Sequence, residues 1–326
     1  MPRDILFILF NWYSKIFVCV KWANEMSTFV QLKAGVRQGG VLSPYLFSIY
    51  IDNLILKLCK SGFGCHIHAM CFNSLLFADD LVLISQSISH LQELINICCT
   101  ELNECDLVIN CNKTSCIRIG PRHNETGAKL YLNDIQLSWK KEMRYLGIFI
   151  LSSRYCSINI QPPKQKFYRA ANGLLSKIVN TKNPSVILSL FNSFCVLVLL
   201  YGLEAFNLNK SCRNSLDFAF NSLFAKIFKS NDTNTMSTCQ YYCGYLSALQ
   251  LLDLKIINFL NGIAAMPNSV AYDISVLVKS DDLIAIAKQY VSDDSNCCTS
   301  FCRCSTKLRR QILFDVTKSN LQILTV

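Results

Sequence analysis

The chain has 326 residues, 51% of them hydrophobic, and carries 32 Lys+Arg against 22 Asp+Glu for a formal net charge of +10. That content excludes a disordered tail or a charged linker, since a chain of this length can bury a substantial core in two or three units. The positive balance favours polyanionic partners through counterion release, and no low-complexity segment or internal repeat is evident.

In chain order, residues 5–20 read as a helix, with Asp4 as a first-turn acid favouring the helix dipole, and residues 29–33 read as extended. The apolar run 5–10 is too short for a secretory leader, and Asn11 and Lys15 interrupt the residues after it. Eighteen cysteines are scattered along the chain, many in apolar segments such as those of Cys19, Cys71 and Cys195. They read as reduced buried thiols of an intracellular protein and not as a secreted disulfide scaffold.

Next comes Gly35-Val36-Arg37-Gln38-Gly39-Gly40-Val41-Leu42-Ser43-Pro44. Its glycines make a loop whose backbone can approach a ligand closely. Ser43-Pro44 predicts a helix start, with an N-cap hydroxyl and proline at the first helical position. A Gly-rich loop running into a helix N-terminus suits the phosphates of a nucleotide or a template strand. The helix should run to about Lys60, because Leu46, Phe47, Ile49, Tyr50, Ile51, Leu54, Ile55 and Leu58 form a broad apolar face at helical spacing. Asp52 on the same helix fits a solvated face.

Phe77-Ala78-Asp79-Asp80 then sets two adjacent carboxylates between the apolar runs 75–77 and 81–84. Strands joined by a tight turn hold such a pair at a hairpin tip, where it can bind divalent metal while the flanks stay buried. Alone, an acidic pair in a turn is usually just solvated. Following the Gly-rich loop by one helix, it becomes a candidate metal site.

A second helix is expected near residues 88–105, then a strand leading to Gly120. Further on stand Leu107-Val108-Ile109-Asn110-Cys111-Asn112-Lys113-Thr114 and Tyr145-Leu146-Gly147. Pro162-Pro163 marks a boundary, since paired prolines resist both helix and sheet ladders. Residues 164–229 are helical in pattern and basic at their edges. Within them, residues 183–203 carry no charge and are long enough to span a membrane, but Asn183, Ser185, Ser189, Asn192 and Ser193 favour a helix buried under the rest of the protein. Residues 246–265 suit an apolar helix, and 307–310 a basic patch on a solvated helix face. Cys297, Cys298, Cys302 and Cys304 have sulfurs enough for one zinc, but adjacent cysteines without histidine spacing make a poor knuckle.

Taken together, these motifs resemble the reverse transcriptases of non-LTR (LINE-type) retrotransposons, in the family's order and over roughly residues 5–230. The loop 35–44 looks like the template and nucleotide grip, 77–80 like the metal-binding hairpin, 107–114 like the element whose lysine faces the nucleotide phosphates, and 145–147 like the primer-grip hairpin. Residues 167–177 and 199–204 look like the start of the helical thumb. The resemblance implies an α+β fold: a partial polymerase palm at 1–161, an antiparallel sheet with helices on one face, then a helical thumb at 162–230 and a helical extension of unknown role at 231–326.

It further implies RNA-directed DNA polymerase activity by two-metal nucleotidyl transfer, with an RNA template, a DNA primer or RNA–DNA duplex, and dNTP as partners and no membrane. Asp79 would be the main Mg²⁺ ligand and Asp80 a weaker or indirect one. Gln38 would contact the template or incoming base, with Arg37 and Ser43 beside it, while Gly35 and Gly39 let the backbone approach. Lys113 would neutralise or protonate the leaving pyrophosphate.

One family feature has no match. A first metal-binding aspartate is expected on a strand ahead of the Gly-rich loop, inside a segment resembling Asp-x-x-x-Ala-Phe-Asp, yet Asp4 is the only acid before Glu25. The expectation is therefore an N-terminally truncated palm without fingers or first catalytic aspartate, offering only half of a Mg²⁺ site. Such a chain should not extend primers at a useful rate alone, and an upstream segment encoded separately would be its partner. A catalytically inactive nucleic-acid-binding relic is the alternative of a different class.

Overall fold

The computed structural model describes residues 2–33, 35–67, 70–125, 127–178 and 183–266. The expected features at Cys297 to Cys304 and at 307–310 lie outside them. The described residues divide into two compact units, one within Met1–Cys116 and Thr126–Trp139, the other within Ile117–Glu125 and Lys140–Val326.

In the first unit, α1 (Arg3–Tyr13) is shorter than the 5–20 expected. Phe17 and Val18 leave it to form β1 (Phe17–Val18), which pairs antiparallel with β4 (Val30–Gln31). Aromatic and β-branched side chains gain more on a pleated surface than in another helical turn. Between these strands, β2 (Lys21–Trp22) and β3 (Glu25–Met26) form a hairpin.

Helix α2 (Ser43–Lys60) matches its expected span. It buries Ile51, Leu54 and Leu58 against Leu94, Cys98 and Leu102 of α3 (Ile88–Glu104), the three-to-four spacing that makes one apolar stripe. An ion pair from Lys57 to the buried Glu101 ties the same two helices at their polar margin. Burial pushes the Cys98 thiol up to about 12, so it packs as a small hydrophobe. Short hairpins fill the intervals: β5 (Cys65–Ile67) with β6 (Met70–Phe72), β7 (Ser74–Phe77) with β8 (Asp80–Leu83), and β9 (Tyr131–Leu132) with β10 (Ile135–Gln136).

The strand expected after α3 does not form. Residues 107–119 are irregular apart from a parallel bridge between Cys116 and Trp139. The Asn110 side chain accepts from the Asn112 and Lys113 amides, and its carbonyl accepts from Thr114. A side-chain turn of this kind consumes the donors that a ladder needs.

The second unit opens with an antiparallel sheet of β11 (Glu142–Tyr145), β12 (Ile148–Leu151) and β13 (Ser157–Ile158). Pro162-Pro163 do not break the chain; they occupy the first turn of α4 (Gln161–Lys177), where their missing amides have no intrahelical partner. The uncharged run becomes α5 (Pro184–Phe191), a π-turn at Asn192–Val196 and α6 (Leu197–Leu199), with Leu188, Phe191, Cys195 and Leu199 buried. Among the described residues no helix is long and apolar enough to cross a membrane. Phe167, Phe191, Phe220 and Phe224 form the centre of this core, with neighbouring rings 5.2 to 6.5 Å apart. Around it stand α7 (Lys210–Phe228), α8 (Thr233–Tyr242) and α9 (Ala248–Ala264), the last opened by a Ser247–Gln250 capping box. Arg213 reaches the fully buried Asp253 at 2.6 Å and joins α7 to α9.

Helices and small antiparallel sheets are thus both present, as an α+β class requires. Among the described residues the strands, two to four residues long, fall into separate small antiparallel sheets. The cysteines are less buried than their apolar settings suggest: of those described, Cys98 and Cys195 are buried and Cys59, Cys156 and Cys243 are exposed, all free thiols.

Candidate active site

The acidic hairpin is mounted from below. Leu76, Leu81 and Leu83 pack on the α2–α3 stripe, which fixes one face of β7–β8 to buried helix. At its base Asn73, 3% exposed, donates from Nδ2 to the Leu58 carbonyl at 2.6 Å, and its own carbonyl accepts from the Ile84 amide at 2.8 Å. Strand pairing runs from Ser74↔Leu83 to Phe77↔Asp80, leaving Ala78 and Asp79 as a two-residue turn. Ala78 takes φ +52°, a left-handed conformation that a residue with a Cβ adopts at some cost. Asp79 at the turn and Asp80 at the first position of β8 are both exposed, so two acceptor-only carboxylates face water over an apolar base.

The Gly-rich loop is held by its own hydrogen bonds. The Arg37 carbonyl accepts from the Gly40 amide at 3.1 Å and from Ser43 Oγ at 2.6 Å. Ser43 is therefore not the N-cap expected of it: Leu42 holds that place, and the buried Ser43 hydroxyl closes the loop instead. The hydroxyl donates its proton to the loop carbonyl, and α2 begins without a side-chain cap. Gly39 needs its φ of +75°, and a Cβ on Gly40 would meet Ser43 Oγ at 2.7 Å. Gly35, Arg37, Gln38 and Gly39 are exposed along the outer edge.

Lys113 is exposed on the turn closed by Asn110. In the second unit, Leu146 at φ +46° and Gly147 at φ +87° make the tight turn between β11 and β12. Beside it lies a cavity of about 560 Å³ lined by Arg144, Gly147, Phe149, Lys166, Val198 and Tyr201 among others. Arg144 and Lys166 are the charged residues of that lining, and the Arg144 guanidinium lies 5.9 Å from the Phe149 ring centre.

The structure therefore brings Asp79 and Asp80 onto one turn and Gly35, Arg37, Gln38, Gly39 and Ser43 onto one loop, with Lys113 on a turn of its own. Among the described residues no group of three or more His, Cys, Asp or Glu is placed to hold a metal ion. Sequence reasoning missed Asn73, whose signal was a lone amide between apolar segments. It also missed Arg144 and Lys166, which carry no motif and are seen as a pair only once the hairpin and α4 are folded.

Comparison with known proteins gives two findings. The family model described as reverse transcriptase (RNA-dependent DNA polymerase) matches residues 4–150. The Drosophila melanogaster protein named Retrovirus-related Pol polyprotein from type-2 retrotransposable element R2DM is 32% identical over 137 residues, 39% of this chain. The match spans 12% of that protein's length.

Proposed function

We propose that this chain, whose residues 4–150 match the reverse transcriptase family model, supplies the metal-binding hairpin and the nucleic-acid grip of an RNA-directed DNA polymerase of the non-LTR retrotransposon type. In this reading residues 1–161 contribute a partial palm, 162–230 a thumb and 231–326 an extension. The observation that carries it is the pair Asp79 and Asp80, exposed at a tight turn whose other face is sealed onto α2 and α3.

The donor set suits Mg²⁺, a hard cation that takes carboxylate oxygens and keeps several waters. Asp79 would be the principal ligand and Asp80 the lesser one. Mg²⁺ held there would supply Lewis-acid activation of the attacking 3′-hydroxyl and charge stabilisation for the leaving phosphate oxygens. Two acids on one turn hold only one side of a two-metal site, and a further carboxylate from another segment would complete it.

The remaining residues bind and orient. Gly35 and Gly39 keep the loop backbone open to a strand, Arg37 and Gln38 face the template and the incoming nucleotide, and Ser43 holds the loop in shape. Lys113 offers a cation, or a proton, to the departing pyrophosphate. The turn at 145–148, flanked by Arg144 and Lys166, grips the primer strand through its phosphates.

Filter binding and primer extension test the reading. The chain should bind an RNA–DNA primer–template with salt-sensitive affinity and extend it negligibly alone. Adding a polypeptide that bears the further carboxylate should give Mg²⁺-dependent extension, lost in Asp79→Ala. Robust extension by the chain alone, abolished in Asp79→Ala, would contradict the half-site, and no duplex binding at low salt would contradict the whole reading.

A further inference from the structure

The turn at 145–148 does not stand by itself. Tyr201 Oη donates to the Leu146 carbonyl at 3.1 Å, across 55 residues of sequence. The next residue, Gly202, takes φ +69°, and a Cβ there would meet Ile148 Cδ1 at 2.5 Å and Cγ1 at 3.1 Å. On the facing side, a Cβ at Gly147 would touch Tyr201 Cε1 at 3.4 Å. The two glycines let backbone and ring approach from both sides, and both accept positive φ.

The support behind Tyr201 is rigid. Leu199, Leu200 and Leu203 are at most 2% exposed, and Lys255 Nζ of α9 donates to the Leu200 carbonyl at 3.1 Å. Tyr201 is itself 56% exposed and lines the cavity. A phenol standing on a fixed base and bonded to the carbonyl of a strained turn residue, Leu146 at φ +46°, is a strut for that turn.

We propose that Tyr201 is a positioning residue for the primer-gripping hairpin, acting through its hydroxyl on Leu146 and not by touching the nucleic acid with that hydroxyl. This rests on the hairpin being the strand grip. Gly202 serves the same end by letting the tyrosine's turn sit against Ile148.

The test is fluorescence anisotropy with a labelled RNA–DNA primer–template over 50 to 200 mM salt, using the full chain, Tyr201→Phe and Lys166→Gln. Tyr201→Phe keeps the ring and removes one hydrogen bond, so affinity should fall about five-fold at every salt concentration. Its slope of log K against log salt should equal the wild type's, because no charge is removed. Lys166→Gln should instead make that slope shallower by about one. Hydrogen exchange supplies the second readout: amides of residues 145–150 should exchange faster in Tyr201→Phe, with the rest of the chain unchanged. Wild-type affinity with unchanged exchange overturns the proposal, and weakened binding with unchanged exchange at 145–150 overturns it by making the hydroxyl a direct contact to the strand. If the wild type binds no duplex, the strand-grip reading fails and this proposal with it. If the wild type binds and Tyr201→Phe matches it, the proposal fails alone.

Discussion

Ala78 shows where the residue-level pattern is most informative. A glycine would relax the turn, and an alanine held at φ +52° next to two acids means that the surrounding strands over-determine the tip. The acidic pair was legible in sequence because apolar runs bracket it. The job of Ser43 was not, because a hydroxyl before proline reads as a cap unless the loop carbonyl that claims it is known. Outside the site, Asp217 of α7 carries the clearest pH signature. Burial pushes its carboxyl up from 3.8, against hydrogen bonds from Asn221 and the Ala248 amide, and its Oδ1 is buried with no hydrogen-bond partner. The native state then holds this proton to higher pH than the unfolded chain, so this group's contribution to stability falls as pH rises from about 3.8 through the raised value. Asp217→Asn should remove that fall. Urea midpoints of both proteins across pH 4 to 7 check it, with the variant gaining on the wild type as pH rises and a constant difference counting against it.

Among elements, α2 and the acidic hairpin are one construction. The helix was readable at both ends from its apolar spacing, and so was α3. The hairpin's attachment was not, because it depends on Asn73, whose amide bonds a helix-end carbonyl that no local pattern names. Asn73→Ala removes that donor, while the Ser61 amide and hydroxyl still donate to the Leu58 carbonyl, and should destabilise the protein by about 0.5–1.5 kcal/mol in urea unfolding. Asn73→Asp should do no better, since a carboxylate offers the carbonyl no donor. A change under about 0.5 kcal/mol would mean that the hairpin is held by Leu76, Leu81 and Leu83 alone. Two other elements departed from expectation for local reasons. The Asn110 side chain turned the segment after α3 into a loop, and Pro162-Pro163 opened a helix because a first turn does not use their amides.

At the scale of the molecule, composition announced basic, core-forming units, and the structure divides into a mixed unit and a mainly helical one. The aromatic core of the second unit was visible only as hydrophobicity, since Phe167, Phe191, Phe220 and Phe224 meet across three helices. The hairpin at 142–151 belongs to that helical unit, which sequence order assigned to the palm; its close partners, Tyr201 and Gly202, lie 50 or more residues downstream. The likeness to reverse transcriptases was the most legible property of all, because it rests on short motifs in order and not on how strands extend into a sheet.

The central claim is that Asp79 and Asp80 hold a divalent ion, and iron-directed cleavage reads this at the polypeptide itself. Fe²⁺ in place of Mg²⁺, with ascorbate and peroxide, cuts a chain beside the bound ion. In the presence of an RNA–DNA primer–template, the account predicts cuts at residues 77–81 that excess Mg²⁺ suppresses and that Asp79→Ala abolishes. Cleavage elsewhere only, or the same cuts in Asp79→Ala, would contradict it.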